Sequence, residues 1–338
     1  MREIVRQYGL MNAEVTPFGN GLINNTWKVA ADGKDFILQK INKAVFKNPE
    51  AIAANINLLA DYLNVHSPEY LFVKPVMAID SGHMLTLNNE YYRLFSFIEN
   101  SHSIDIVVTP EQAYEAAKQF GRFAQQLAGF DANKLAITLP DFHNLRLRYQ
   151  QFTTALADGN VERIMQSADL ISYLVSQKNI VDEFEAAKKV MKLRVTHHDT
   201  KISNVLFDNN DKGICVIDLD TVMPGYFISD VGDMLRTYLS PVNEEEKDFS
   251  KIEIRRAFYE AVYNGYMSEM GSELSTAEKG YFLFAGKLMV YMQALRFLTD
   301  YFNNDIYYGC KYEGHNFIRA GNQAVLLQRL NEFNPHSD

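Results

Sequence analysis

Two cysteines in 338 residues are too few for a disulfide framework. Cys215 and Cys310 lie far apart and form no CxxC pair of the kind that binds zinc, so both are expected to be incidental thiols in a reducing compartment. The chain also lacks long apolar runs. No apolar h-region follows Met1-Arg2-Glu3-Ile4-Val5-Arg6-Gln7, and nothing approaches the ~18 uncharged apolar residues of a membrane span. The expectation is a cytoplasmic protein with no membrane partner. Positive charge is in deficit, with 33 Lys and Arg against 42 Asp and Glu and a net charge of −9. That surface repels a phosphate backbone and no basic patch offsets it, so no nucleic-acid partner is expected. Repeats and low-complexity segments are absent too. What remains is an ordinary globular composition, 47% hydrophobic and 22% charged, on a chain long enough for two lobes with their own cores.

The first ~100 residues carry short β-type runs and one helix. Strands are expected over 22–30 and 34–41, with the Asp32-Gly33 turn signal between them. Asn48-Pro49-Glu50 supplies an N-cap, a proline for the first helical position and a first-turn acid. Ile52, Ile56, Leu59 and Leu63 follow at helical spacing. Strands are expected again over 71–79, 84–87 and 91–98. From Thr109 the pattern turns helical. Thr109-Pro110-Glu111-Gln112 resembles a capping box, Ala113 to Leu127 carry one apolar face, and Gly129 is a stop. Further helical patterns cover 144–157, 160–190, 250–269 and 276–302. Short strands at 205–207 and 214–217 flank the turn Asn209-Asn210-Asp211-Lys212-Gly213. The expected fold is α+β and bilobal: a small antiparallel β lobe over 1–98, a larger helical lobe over 99–338, and a cleft between them.

The strongest chemical signal is His197-x-Asp199-x-Lys201-x-x-Asn204, then a short hairpin ending in Ile217-Asp218. Phosphoryl transfer needs a carboxylate to take the attacking hydroxyl's proton, a divalent ion to neutralise phosphates, and a cation on the moving group. Asp199 can be the base, Asn204 and Asp218 can offer oxygens to Mg²⁺, and Lys201 can reach the γ-phosphate. His197 is expected to hold the loop by hydrogen bonds rather than exchange protons. HxD alone is weak, since such pairs commonly cap or decorate turns. The added Asn, Lys, hairpin and second Asp favour catalysis over a structural turn.

HxDxxxxN followed by an Ile-Asp strand resembles the protein-kinase-like fold, nearer the aminoglycoside phosphotransferase/choline kinase branch than the protein kinases. Asp218 is followed by Leu219-Asp220 in place of Phe-Gly, and no Ala-Pro-Glu segment exists. Four segments are similar to the N-acetylhexosamine 1-kinases: 18–26, Asp218 to Pro224, Ser229 to Arg236, and Arg296 to Tyr301. The likeness runs in order over roughly residues 15–330. The family pattern carries His where this chain has Leu22. The resemblance implies ATP and Mg²⁺, a sugar acceptor phosphorylated on its anomeric hydroxyl, and an Asp230 that stabilises the catalytic loop by accepting backbone N–H bonds.

The β-rich half fits this. Gly19-x-Gly21 can lay backbone amides over phosphates, although an ordinary hairpin gives the same pair. Period-two alternation puts Phe36, Leu38 and Lys40 on one face, making Lys40 the candidate for the nucleotide phosphates and Leu38 a roof for the base; a solvated edge lysine is the plain alternative. Phe97 and Ile98, at the connector, are expected to line the nucleotide site. No carboxylate stands on the inner turn of the helix, where Ala53 and Ala54 occur, so Lys40 has no evident acid partner. Asp220, read as facing with Asp218, is a candidate for a sugar hydroxyl or the metal, with a purely structural role as the alternative. Asp233 and Arg236 read as a structural pair. Arg296 lies in an apolar helical run and is costly to bury alone, so it either bridges to Asp300 or reaches substrate or phosphate. Asn316 and Arg319 lie in a similar patch. The acid-rich run 243–248 reads as a solvated loop.

The expected activity is ATP- and Mg²⁺-dependent phosphorylation of N-acetylglucosamine or N-acetylgalactosamine at the anomeric position. The alternatives are a kinase of the same fold for choline, an aminoglycoside or homoserine, and a binding-only pseudokinase. A hydrolase of sugar derivatives lacks support, since no Gly-x-Ser-x-Gly, Cys-x-Pro or metal-binding His cluster is present.

Overall fold

Alternating apolar residues near the N-terminus build one antiparallel sheet in the computed structural model, which describes residues 1–19, 23–79 and 82–335. Its strands are β1 (Glu14–Pro17), β2 (Asn25–Ala31), β3 (Lys34–Lys40), β4 (Leu85–Leu87) and β5 (Glu90–Ser96), in the order β1-β2-β3-β5-β4. The Asp32-Gly33 turn places both residues at positive φ, as a tight hairpin requires. Segment 71–79 forms no named strand; isolated bridges at Val76 and Ala78 are its only ladder contacts among the described residues. One sheet face carries Trp27, Val29, Phe36, Leu38 and Leu94 and packs on Ile4 and Val5 of the short helix α1 (Arg2–Arg6) and on Tyr8 just after it. This is a small core of its own.

Helix α2 (Pro49–His66) starts where the Asn-Pro signal predicts, with the Asn48 side chain accepting from Ala51 N–H at 3.2 Å. Its apolar stripe does not pack into the sheet's core. Ile52, Ile56, Leu59 and Leu63 belong to the large core of the helical lobe. Buried Asn55 fixes the helix there by donating to the carbonyls of Ala136 and Val222. The helix expected within the sheet lobe by sequence order is thus joined to the helical lobe by packing.

A two-residue strand, β6 (His102–Ser103), precedes α3 (Pro110–Gln126). Thr109 caps that helix, and Gln112 Oε1 reaches back to Val108 N–H. The expected single helical pattern over 160–190 breaks into α5 (Val161–Gln166), α6 (Ala168–Ser176) and α7 (Asn179–Ala187), after α4 (Leu145–Asp158). Next come β7 (Arg194–Thr196), β8 (Val205–Phe207), β9 (Gly213–Val216) and β10 (Met223–Gly225), then α8 (Phe227–Tyr238). The chain closes with α9 (Arg256–Met270), α10 (Thr276–Gly280), α11 (Phe282–Phe302) and α12 (His315–Glu332). Helix α11 is buried nearly all round, with α4, α8 and α12 against it, so it is the axis of the helical lobe. The antiparallel pairs β7–β10 and β8–β9 flank residues 197–204 on both sides. The architecture is the expected small antiparallel sheet beside a larger helical part.

Candidate active site

The loop after β7 is fixed atom by atom. Asp230, in the first turn of α8, accepts from His197 N–H at 3.0 Å and His198 N–H at 2.7 Å. Asp233, one turn on, accepts from Thr200 N–H at 2.9 Å, and Tyr238 donates its hydroxyl to Thr200 O at 2.7 Å. His197 is fully buried against Phe120 and Phe123, its Nε2 2.9 Å from Ile217 O. Burial lowers the pKa of His197, and lowers that of His198 to about 4, so both rings are neutral supports. His198 sits at φ +67 and Asp218 at φ +59, two non-glycine residues in the left-handed region on either side of the site. Such conformations persist only where surrounding bonds hold them, and they cluster at functional sites.

Inside this frame lies the predicted quartet. Lys201 Nζ is 3.1 Å from Asp199 Oδ1, while Asn204 Nδ2 donates to Asp199 O at 2.9 Å and Asp199 Oδ2 at 3.2 Å. Burial alone would raise the Asp199 pKa. The Lys201 charge, its hydrogen bond, His197 and Asn204 reverse this and hold it below the usual range, so Asp199 is an ionised acceptor at neutral pH. Lys201 is correspondingly raised, chiefly by Asp199. Asp218 closes the group from the end of β9, whose Ile217 N–H bonds to Asn204 O at 2.9 Å. Its side chain opens to solvent in the cleft, yet it is lined closely by protein. Burial, then Asp220 and Asp199, pushes its pKa up to about 7. Water in the cleft screens part of the burial effect.

These donors fit a hard divalent ion. With Asn204 Nδ2 spent on Asp199, its amide oxygen is left for another partner, and Asp218 is an acid held against two other carboxylates that a cation would relieve. No set of three His, Cys, Asp or Glu side chains gathers among the described residues. The donor pair is therefore of the kind that leaves positions open to phosphates and water, as Mg²⁺ sites do.

Two expected residues lie elsewhere. Lys40 shares its face with Leu38 as alternation requires, but that face is the back of the sheet: Leu38 is fully buried in the sheet's own core and Lys40 pairs with Glu90 at 3.1 Å. Ile37 and Ile41 are as apolar as their neighbours, so period two alone could not choose the face. The cleft face carries Ile37 and Gln39, with Arg93 and Phe95 opposite them on β5. Asp220 is also misread as facing with Asp218. The left-handed Asp218 ends the strand, and Leu219–Thr221 form a 3-10 turn that swings Asp220 toward the sheet. There it is 2% exposed, ion-paired to Arg93 Nη1 and accepting from Asn24 Nδ2 at 2.8 Å, and so is not offered to an acceptor.

Phe97 and Ile98 follow β5, both half-buried; Phe97 lies edge-on to Phe18 at 6.2 Å and under Lys28 Nζ at 4.8 Å. Gly19 turns at φ +73, while Gly21 and Leu22 lie outside the described residues. Arg296 does not bridge to Asp300. Asp300 instead accepts from Tyr307 N–H at 2.7 Å and Tyr308 N–H at 2.9 Å. Arg296 bonds to Gln293 at 3.2 Å and lies over the rings of Tyr307 and Tyr308. The acid-rich run is not wholly solvated either. Glu244 is drawn in between Arg236 at 2.9 Å and Arg319, which also bonds to Asn316. His143, unmarked in the sequence, lies 5.3 Å from the His198 ring. Burial holds its pKa well below the ordinary histidine value, helped by the neighbouring His198 ring and by the positive charges of Arg296, Arg236 and Arg148.

Residues 14–261 match the phosphotransferase enzyme family. The chain belongs to that family. Solved structures share the fold along the whole chain. An aminoglycoside phosphotransferase from Alicyclobacillus acidocaldarius is 13% identical with a TM-score of 0.67, over 98% of this chain and 95% of that one. A microcompartment-associated aminopropanol kinase is 15% identical with a TM-score of 0.67, over 98% of each. A spectinomycin phosphotransferase, solved with ADP and spectinomycin, is 14% identical with a TM-score of 0.56, over 95% of this chain and 93% of that one. The family is one of phosphotransferases, and the solved structures share its fold.

Proposed function

We propose that this phosphotransferase uses ATP and Mg²⁺ to phosphorylate the anomeric hydroxyl of an N-acetylhexosamine. The observation that carries the transfer chemistry is an ionised Asp199 held between Lys201 and Asn204, beside the open carboxylate of Asp218. Asp199 orients the acceptor hydroxyl and takes its proton as oxygen attacks the γ-phosphorus and the bond to the β-phosphate oxygen breaks. Lys201 reaches the moving phosphoryl group and balances its charge. Asn204 and Asp218 would hold Mg²⁺, which neutralises the β- and γ-phosphates when bound. Most of the acceleration comes from positioning and fixed charge, because no covalent intermediate is needed.

The acceptor reading is supported by charge. A cationic acceptor such as an amino alcohol calls for uncommitted carboxylates or an aromatic cage. Here Asp233 and Glu244 are held by Arg236 and Arg319, Asp300 by backbone N–H groups, and Asp305 by Arg163 at 2.6 Å. Arg296, with Gln293, Tyr307 and Tyr308 around it, has no acid partner among the described residues, and these groups suit hydroxyls, an acetamido oxygen and the face of a sugar ring. The segments similar to N-acetylhexosamine 1-kinases add to this.

The test is an ADP-release screen over N-acetylhexosamines, hexoses, choline, aminopropanol and aminoglycosides, with and without Mg²⁺. Turnover is expected with an N-acetylhexosamine and only with the metal; turnover confined to the amines refutes the acceptor reading alone. Asp199→Asn should lower kcat by roughly a thousandfold with little change in nucleotide affinity, as loss of a positioned base does. Near-wild-type turnover of that variant would refute the transfer mechanism.

A further inference from the structure

Arg93, on β5, is 1% exposed, and its hydrogen bonds and ion pair run to two partners on different lobes. Nε and Nη2 donate to Gln39 Oε1 at 3.1 and 2.8 Å, across the β3–β5 register that sets the two residues side by side. Nη1 pairs with Asp220 Oδ1, on the 3-10 turn that follows Asp218. The other oxygen of Asp220 accepts from Asn24 at the end of the loop between β1 and β2. Asn24 is itself held by Asn42 N–H at 3.0 Å. One buried carboxylate of the helical lobe is thus gripped by two separate elements of the sheet lobe.

In protein kinases an ion pair between a β3 lysine and a helix glutamate must be in place for activity. Here the cleft-facing position of β3 is Gln39, and α2 buries Asn55 against the carbonyls of Ala136 and Val222. We propose that the Arg93–Asp220 pair, braced by Gln39 and Asn24, takes over that duty as a clamp between the lobes. By holding Asp220, it fixes the left-handed Asp218 two residues earlier and ties the metal-binding turn to Asn24, just before β2. Arg93, Gln39 and Asn24 are positioning residues, since they act through Asp220. A guanidinium can serve Gln39 and Asp220 at once because its donors form a rigid fork, which a lysine lacks. The clamp rests on the reading that a magnesium nucleotide binds at Asn204 and Asp218.

Two variants test it in the full chain, Arg93→Lys, which keeps the buried charge, and Asn24→Ala, at a half-buried loop residue where the fold is at little risk. Calorimetric binding of ATP is measured with Mg²⁺ and with the metal chelated, beside acceptor KM. Both variants should bind MgATP about tenfold more weakly, the order expected for losing a charge-assisted bond. Metal-free ATP binding and acceptor KM should move less than twofold, and the Mg²⁺ needed for half-maximal rate should rise. Folded variants that bind MgATP like wild type overturn the clamp. So does an equal loss with and without metal, which would make Arg93 a direct nucleotide contact. A wild-type protein that binds no MgATP refutes the underlying site instead.

Discussion

Replacing Asp230 by Asn tests the catalytic-loop argument most directly. Asp230 is fully buried and gives one oxygen each to His197 and His198 N–H, at 3.0 and 2.7 Å. Burial pushes its pKa up to about 7 against the pull of those two bonds, so the experiment belongs at pH 8, where the carboxylate is ionised. Asparagine keeps the shape, but its NH₂ must face one of the two donors, so one charge-assisted bond is lost outright. That costs about 1.5–3 kcal/mol, a visible fraction of the 5–15 kcal/mol typical of a domain. His198 already sits at φ +67, and releasing its N–H lets this strained residue relax. Asp199 follows it in the chain, and a shift near 1 Å at a reacting group costs on the order of a hundredfold in rate. The expectation is a modest loss in chemical denaturation, a kcat about a hundredfold down, and nucleotide affinity within a few-fold of wild type. A variant that is destabilised yet keeps its kcat, or that loses nucleotide affinity instead, would show that Asp230 does not position the base.

Three further outcomes follow from other contacts. In Gly225→Ala the new Cβ would collide with Thr196 Oγ1 and lie 2.5 Å from His198 Nε2, so displacement of His198 should cost about 1–3 kcal/mol of stability and at least tenfold in kcat; wild-type kcat would exclude this coupling. Arg296→Ala should raise acceptor KM by about tenfold or more while leaving nucleotide KM within twofold, read from paired saturation curves. The Asp218 pKa near 7 lies above the ~3.9 of an unfolded Asp. Its protonation therefore favours the folded apo chain, a contribution present at low pH and lost as pH rises from about 4 through 7. MgATP should accordingly raise the melting temperature more at pH 8 than at pH 6, and equal shifts would refute the assignment.

The catalytic quartet was legible because phosphoryl transfer fixes residue types at short spacings. Asp199, Lys201 and Asn204 fall within six residues and a short hairpin returns Asp218 to them, so the proposed group gathers locally, although α8 fixes its geometry through Asp230, Asp233 and Tyr238. The capped starts of α2 and α3 were legible for the same reason: Asn48-Pro49 and Thr109-Pro110 act on their own first turns. Arg93 could have been noticed by the argument applied to Arg296, that a charge in an apolar run needs a partner, but nothing local names the partner. Tertiary structure alone decided that Gln39, and not Lys40, faces the cleft, because both faces of β3 are apolar and the choice depends on where α1 packs. It also turned Asp220 toward the sheet, because the left-handed Asp218 breaks the alternation that a strand would have kept. And it committed Asp300 to the backbone of Tyr307 and Tyr308 and Glu244 to Arg236 and Arg319, leaving Arg296 without an acid partner among the described residues. Spacing specifies chemistry within a loop, whereas the pairing of buried charges across the cleft depends on how the two lobes meet.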